Sequence, residues 1–153
     1  MDYELIDHQE WHTEEDFPQD LDAVCALTHM GMYFEWMAQT QLLHPAVIEQ
    51  LGEKMTQLQQ QQLNGRDILE HSLGRQLLLS FFNEFGRRFT EYYYTDDEEG
   101  YGQFMSDYYT TLRVDLLPSL YHVDNSRAAY DAVASQFDLA YLKWQASLKE
   151  HNS

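Results

Sequence analysis

The sequence predicts an all-α fold: a single domain over residues 1–153, built as a bundle of about five to six helices after a short irregular or extended N-terminal lead-in. Three observations predict this class. Apolar residues recur at spacings of three and four in several stretches. Alternation of apolar and polar residues is weak, with only Tyr3 to Ile6 suited to local strand pairing. The length of 153 residues fits one ordinary domain.

The lead-in covers residues 1–19 and ends at Phe17-Pro18, because a proline disfavours helical geometry in the residue before it. Asp20 is the candidate N-cap of the first helix, which continues to about Gln41. Its apolar positions follow helical spacing and predict a core helix. They are Leu21, Val24 or Cys25, Thr28, Met32, Tyr33, Trp36 and Met37.

Pro45 suits the first turn of a second helix, whose apolar stripe runs through Leu58 into a run of glutamines. Asn64-Gly65 is expected to end that helix. A short third helix is predicted over residues 67–72, because Gly74 is a typical C-terminal stop.

Three further helices follow. Ser80 is the candidate cap of an aromatic helix that reaches Tyr94, and residues 101–112 continue the helical spacing. Asp124 or Asn125 is expected to cap a last helix of about 24 residues. Its predicted buried face is Tyr130, Val133, Phe137, Ala140 or Tyr141, Trp144 and Leu148.

Negative charge is spread unevenly along the chain, whose formal net charge is −17. Residues 1–53 contain twelve Asp or Glu and no Lys or Arg, so this first third alone carries −12. Residues 54–95 are nearly neutral, and residues 96–153 carry −6. Acidic runs often form solvated loops that keep a protein in solution. A field of this size is more easily understood if it steers and holds a basic partner.

The candidate partner-binding residues form two acidic patches, which should lie on the same side of the fold if they make one interface. The first patch is Glu14, Glu15, Asp16, Asp20 and Asp22. The second patch is Asp96, Asp97, Glu98 and Glu99.

The composition argues against several classes of function. Nucleic acids and anionic membranes bind clustered Lys and Arg, so neither is an expected partner. Apolar runs such as Leu77-Leu78-Leu79 are far below the ~18 residues of a membrane span. The lone cysteine and the absence of a secretory signal indicate a cytoplasmic protein. No Gly-rich phosphate loop, nucleophile elbow or Cys-x-x-Cys pair occurs, so we predict a non-enzyme without cofactor or catalytic residues.

Seven histidines among 26 carboxylates raise the question of a metal site. His8, Glu10, His12 and Glu14 would share one face if their segment were extended. Catalytic zinc sites, however, normally need a third ligand that is held by a rigid element, as in the His-Glu-x-x-His helix. That pattern is absent here. The sequence therefore predicts no metal ion.

His29 lies on the predicted first helix, close to Gly31. It fits a buried, hydrogen-bonded histidine. It also fits a general base or a binding contact, provided that a carboxylate such as Asp16 or Glu35 lies nearby in space. The sequence leaves both interpretations open.

Several segments carry a family resemblance across most of the chain. They are Trp11-His12, Asp16-Phe17-Pro18, Ala26-x-Thr28-His29-x-Gly31-Met32-Tyr33 with Trp36, Phe89-x-x-Tyr92-Tyr93, Asp107-Tyr108, Leu117-Pro118-Ser119-Leu120-Tyr121-x-Val123 and Trp144. Together they resemble an uncharacterised family of small acidic bacterial proteins that is similar to the immunity proteins of toxin systems. The resemblance implies a family-motif site at Trp11, His12, Phe17, His29 and Trp36.

Charge and resemblance together predict a cytoplasmic immunity protein that binds and neutralises a basic bacterial toxin. A nuclease is the favoured target class, because it must present Lys and Arg to phosphates, which carboxylates can cover. One alternative is a non-toxin adaptor or regulator that binds through the region of Trp11, Phe17 and Trp36. Another is an enzyme that uses His12, Asp16 and His29, for which these groups would converge in a pocket.

Overall fold

The computed structural model describes residues 5–14, 17–95 and 102–151, and this part of the chain is mostly helical, as predicted. It contains eight α-helices, more than the five to six predicted, and one two-stranded sheet. In chain order the elements are β1 (Leu5–His8), α1 (Gln9–Thr13), α2 (Thr28–Gln39), α3 (Pro45–Leu51), α4 (Glu53–Gln59), α5 (Gly65–Ser72), β2 (Gln76–Leu78), α6 (Glu84–Tyr93), α7 (Phe104–Thr111) and α8 (Arg127–His151). Short 3₁₀ helices cover Ala23–Leu27, Leu79–Phe81, Val114–Leu116 and Leu120–His122.

Within the predicted irregular or extended lead-in, residues 5–8 are indeed extended, as strand β1, whereas helix α1 was not predicted. Strand β1 pairs antiparallel with β2, which is distant in sequence, so the predicted pairing is not local. Asp7 faces Leu77, and a bulge lies between Leu5 and Asp7. Helix α1 follows at once, because Nδ1 of His8 accepts a hydrogen bond from the amide of Glu10 at the helix start.

Asp20 is not the cap of the first core helix. The helical region begins instead with the 3₁₀ helix Ala23–Leu27, where the side chain of Asp22 accepts a hydrogen bond from the amide of Val24. Helix α2 then starts at Thr28. A cap must sit two or three residues before the amide it satisfies, and Asp22 meets this condition.

The predicted second helix is two helices, α3 and α4, because Gly52 adopts a positive φ of 57° and interrupts it. Asn64 starts the next helix, α5, rather than ending the previous one. Its side chain accepts a hydrogen bond from the amide of Asp67, and the Asp67 side chain accepts one from the amide of Asn64.

Two other caps also differ from the prediction. Asn83, not Ser80, caps α6, and its side chain accepts a hydrogen bond from the amide of Gly86. Ser126 takes the place expected for Asp124 or Asn125, since its hydroxyl accepts from the amide of Ala129. Helix α8 has 25 residues, in agreement with the predicted length. Within the described residues, no helix combines the length and apolar character needed to cross a bilayer.

Helix α2 is the centre of the core. Every residue from Thr28 to Ala38 is buried, and the helix contacts α5 on one side and α8 on another. The crossing with α5 is close enough to require glycine. A Cβ added to Gly65 would lie 1.9 Å from the carbonyl oxygen of Gly31, and one added to Gly31 would lie 2.5 Å from the amide nitrogen of Arg66.

Aromatic side chains fill the space between α2, α6, α7 and α8. The ring of Tyr33 lies within 6.0 Å of the rings of Trp36 and Phe137, and its hydroxyl is 2.8 Å from the hydroxyl of Thr90. On the predicted inner face of α8, the residues Tyr130, Val133, Phe137 and Trp144 are buried. This core supports the segments that carry the candidate site.

Candidate functional site

A buried carboxylate, Asp7, lies at the centre of the candidate site and is only 7% exposed. Its Oδ1 atom is 2.7 Å from Nε2 of His12, and its Oδ2 atom is 3.1 Å from Nε2 of His29. The Tyr94 hydroxyl donates a 2.7 Å hydrogen bond to Oδ2. The Tyr121 hydroxyl lies 2.7 Å from Nδ1 of His12. We call these five residues the Asp7 cluster.

Each residue of the cluster comes from a different element. Asp7 lies on β1, next to the bulge, where the extra residue changes the alternation of inward and outward side chains. His12 is in the last turn of α1, and His29 is the second residue of the buried helix α2. Tyr94 is the C-cap of α6, and Tyr121 lies in the 3₁₀ helix Leu120–His122. The cluster therefore ties β1 and α1 to three other parts of the chain.

The hydrogen-bond network fixes which nitrogens carry protons. An ionised carboxylate only accepts hydrogen bonds, so Nε2 of His12 and Nε2 of His29 both donate to Asp7. In neutral His12 the Tyr121 hydroxyl then donates to Nδ1. On His29 the buried Nδ1 atom has no hydrogen-bond partner among the described residues.

Asp7 is ionised in this environment. Burial by itself would raise the pKa of its carboxyl group, but the hydrogen bonds and charges of His12 and His29 hold the pKa well below its ordinary value. Burial and the charge of Asp7 raise the pKa of Tyr94, which stays protonated as a donor. In the described part of the chain, no Lys or Arg forms an ion pair with Asp7. The two imidazoles are therefore its main hydrogen-bond donors, in place of a basic side chain.

The span that contains all five cluster residues also matches a protein family. Residues 5–123 match the family described as a domain of unknown function, DUF7832. The chain belongs to this family. No curated protein and no solved structure matches it significantly. The DUF7832 span ends two residues after Tyr121 and leaves out helix α8.

Within the DUF7832 domain, His12 is the more exposed of the two histidines in the cluster. The side chain of His12 is 18% exposed, that of Asp7 is 9% exposed and that of His29 is fully buried. The rings of His12 and His29 meet edge to face at 4.7 Å, and Phe104 and Tyr108 lie beside His29. Two imidazoles and a carboxylate in this arrangement can hold a proton or a metal ion, because their candidate ligand atoms all lie within 4.8 Å of one another.

The metal set considered from the sequence does not form. Its four members would share a face only on an extended chain, whereas β1 ends at His8 and α1 begins at Gln9. Nδ1 of His8 is occupied by the start of α1. Of that set, His12 alone joins the Asp7 cluster.

Next to His12, helix α1 exposes a large aromatic side chain to solvent. Trp11 is 52% exposed, and Glu10 and Glu14 beside it are also exposed. Helix α1 packs on the 3₁₀ helix Ala23–Leu27, which in turn contacts the 3₁₀ helix Leu120–His122. These contacts bring Trp11, Glu14 and Asp22 to one region of the surface, which we call the α1 surface.

The described acids of the first patch are all exposed. Asp22 lies at the start of the 3₁₀ helix that supports α1, and Asp20 bonds to Nε2 of His122 at 2.9 Å. That contact lowers the pKa of the Asp20 carboxyl group. The remaining predicted partner-binding residues lie outside the described residues. That the two acidic patches lie on the same side of the fold therefore stays a prediction. They are Glu15, Asp16, Asp96, Asp97, Glu98 and Glu99.

The family-motif residues separate into four environments. His12 and His29 come together in the Asp7 cluster, while Trp11 is exposed beside it. Phe17 packs on Tyr121, with 4.8 Å between ring centroids. Trp36 is buried in the core, and its indole N–H donates to Asp138 on α8 at 2.8 Å. Trp36 is thus a core residue and not a surface contact.

Among the described residues, the carboxylate that bonds to His29 is Asp7, which was not a candidate named from the sequence. Glu35 bonds elsewhere, and Asp16 lies outside the described residues. Sequence reasoning also missed Tyr94 and Tyr121, although Tyr121 stands in the Leu-Pro-Ser-Leu-Tyr segment that carries the family resemblance. Asp7 has no comparable local signal, since its burial depends on pairing with a distant strand.

Glu35 forms a second buried polar site. Its Oε1 atom accepts a hydrogen bond from the amide of Gly65, and its Oε2 atom accepts one from Arg127, both at 2.9 Å. A cavity of about 180 Å³ adjoins it. The guanidinium of Arg127 also lies over the ring of Tyr130, 4.8 Å from its centroid. Burial raises the pKa of the Glu35 carboxyl group in spite of these donors.

Proposed function

We propose that this DUF7832 protein is an immunity-type protein that binds a basic protein toxin through the α1 surface and so neutralises it. The observation that carries the proposal is the half-exposed Trp11 on a short helix whose other exposed neighbours are acidic. Tryptophan is among the side chains enriched in the residues that dominate binding energy, and acidic charges beside it supply electrostatic steering of a basic partner.

Charge complementarity supports a basic partner. Residues 1–53 have no Lys or Arg, so the α1 surface has no basic side chain from its own third of the chain. Nucleases are the toxin class that suits such a surface best, because their own function requires clustered Lys and Arg for binding phosphates. Occupying those cations would exclude the nucleic acid.

The Asp7 cluster gives this surface a fixed geometry. It anchors His12, and His12 is the neighbour of Trp11 on α1. An anchored aromatic side chain loses less conformational freedom on binding than one on a mobile segment. The full burial of His29 favours this positioning role over acid–base catalysis, because a general base must reach the proton that it abstracts.

The test is co-expression with the product of the neighbouring gene, combined with binding kinetics on the purified pair. Wild-type protein should protect cells from that product. Replacing Trp11 by Ala should weaken binding by about 30-fold or more, in the range of a central aromatic contact. Phe85→Ala is the matched control, because Phe85 is 50% exposed on α6, and it should change affinity by less than about twofold.

A charge reversal tests the electrostatic part separately. Glu14→Lys should slow association and make it less sensitive to salt, because exposed charges are screened over about 10 Å at 0.1 M salt. Glu49→Lys makes the same change in net charge on α3, where Glu49 is also exposed, and should have a much smaller effect. Full protection by Trp11→Ala would overturn the proposed surface. Capture of a harmless partner by the same surface would instead favour the adaptor function.

A further inference from the structure

We infer that the Asp7 cluster is a binding site for a divalent transition metal ion, Zn²⁺ in the first instance, with Asp7, His12 and His29 as its three protein ligands. The inference does not depend on the proposed function. It rests on the convergence of two imidazole nitrogens and one carboxylate from three elements. Such a set, with water in the fourth position, is a recurrent zinc site.

The distances fit an ion with little rearrangement. A tetrahedral zinc ion with bonds of about 2.0–2.1 Å keeps its ligand atoms about 3.3 Å apart. The two nitrogen–oxygen distances in the cluster are 2.7 and 3.1 Å. Small outward rotations of the side chains would therefore admit the ion. Two nitrogen ligands also disfavour Mg²⁺ and Ca²⁺, which prefer oxygen.

The residues around two of the three ligands, His12 and Asp7, resemble the second layer of a metal site, whereas Nδ1 of His29 has no such partner among the described residues. Metal-bound histidines usually donate their other ring N–H to an acceptor, and Tyr121 offers its hydroxyl oxygen to Nδ1 of His12 at 2.7 Å. Ligating carboxylates are usually hydrogen-bonded too, and Tyr94 holds the Oδ2 atom of Asp7. On binding, each neutral imidazole would keep one proton and carry it on Nδ1 while Nε2 binds the ion.

The buried charge gives a reason for a cation at this place. An ionised carboxylate that is removed from water needs a positive partner, and Asp7 has no Lys or Arg partner within the described ranges. A divalent ion would supply that charge. The partial exposure of His12 leaves a route for the ion and for one water ligand.

The first experiment uses the full chain, stripped with EDTA and titrated with Co²⁺ and then Zn²⁺. We expect one metal ion per chain, the visible absorption of four-coordinate cobalt, its loss when zinc displaces cobalt, and a higher Tm with zinc. A protein that binds no cobalt or zinc, and whose Tm is the same with zinc and with EDTA, would overturn the inference and leave a purely hydrogen-bonded anchor.

Variants assign the ligands. Asp7→Asn and His29→Gln should each weaken zinc binding by about 100-fold or more, and Tyr121→Phe by about 10-fold, as expected for a residue that orients a ligand. His71→Gln is the control, because His71 is exposed and also lies beside a carboxylate, that of Glu70, at 3.2 Å. Unchanged affinity in the first two variants would contradict the assignment.

NMR of the histidine side chains in the wild-type protein identifies the zinc ligands without any variant, so the test does not depend on the variants folding. Zinc should shift the ring resonances of His12 and His29 and leave those of His71 in place. Shifts confined to other histidines would place any bound zinc elsewhere and overturn the inference. Toxin protection is a separate readout, so failure of zinc binding is distinguishable from failure of the proposed function.

Discussion

Asp7 and Glu35 are both buried carboxylates that join distant segments, yet their surroundings shift their pKa values in opposite directions. Asp7 accepts hydrogen bonds from two imidazoles, a tyrosine hydroxyl and the amide of His8, and its pKa is lowered. Glu35 has one amide and one guanidinium as donors, and its pKa is raised. Burial penalises both charges, so the donors decide the sign.

The two sites also differ in what they join. The Asp7 cluster fastens the N-terminal strand and α1 to the body of the fold, all within the family span. The Glu35 site holds the crossing of α2 with α5 and connects it to the start of α8, which lies beyond that span. The Asp7 cluster therefore holds the segment that carries the α1 surface, whereas Glu35 holds helices of the core together.

Removing each carboxylate gives the largest expected difference. Asp7→Ala should lower the free energy of unfolding by about 3–5 kcal/mol, because it leaves two imidazoles and a hydroxyl without their partner. Glu35→Ala should cost less, about 1–3 kcal/mol, since Arg127 is 34% exposed and can turn to water. Urea denaturation measures both. A larger loss for Glu35→Ala would contradict this ranking.

The next effect concerns the helix crossing beneath Glu35. Gly65→Ala should destabilise the protein by about 3 kcal/mol, because the added Cβ would overlap the carbonyl oxygen of Gly31 and force the helices apart. Gly52→Ala is the control, since no atom lies within 4 Å of its Cβ and the cost is limited to the positive φ, about 1 kcal/mol. Thermal unfolding of the two variants compares them, and equal losses would mean that the crossing tolerates separation.

The smallest expected effect is the change with pH in the contribution of Glu35 to the stability of the folded protein. Because its folded pKa is raised above the ordinary 4.5, its contribution to stability is present below that pH and is lost as the pH rises through the folded value. The Tm of Glu35→Gln relative to wild type should therefore rise by a few degrees between pH 4 and pH 7. Glu49→Gln, at an exposed position, should show no such change. A difference that falls with pH would mean that the Arg127 pair, and not burial, sets the pKa.

Local sequence patterns predicted the helical content well. The long α8 and its buried face, with Tyr130, Val133 and Phe137, follow from spacing alone. Cap positions were less predictable, because several side chains near each helix start can accept hydrogen bonds. Asp22, Asn83 and Ser126 are the caps in place of nearby candidates. Single residues such as Gly52 also divided a continuous apolar stripe into two helices.

The sequence predicted some residues of the candidate site but not the contacts between them. His12 and His29 were singled out from the sequence, and Trp11 was placed in the same motif region. Neither their carboxylate nor the orienting tyrosines were identified, because the contact of Asp7 with Tyr94 spans 87 positions and that of His12 with Tyr121 spans 109. Local periodicity carries no information about contacts at such separations.

The sequence by itself determined the helical class and the −12 charge of the first 53 residues, and it singled out His12 and His29 as candidate site residues. These depend on composition and short-range spacing, which a single chain displays directly. Only the tertiary structure decided that Asp7 is the buried partner of both histidines and that Trp11 points to solvent beside them. The first fact follows from strand pairing with a bulge, where a shift of one residue would exchange inside and outside, and the second from the packing of α1 on the 3₁₀ helix Ala23–Leu27.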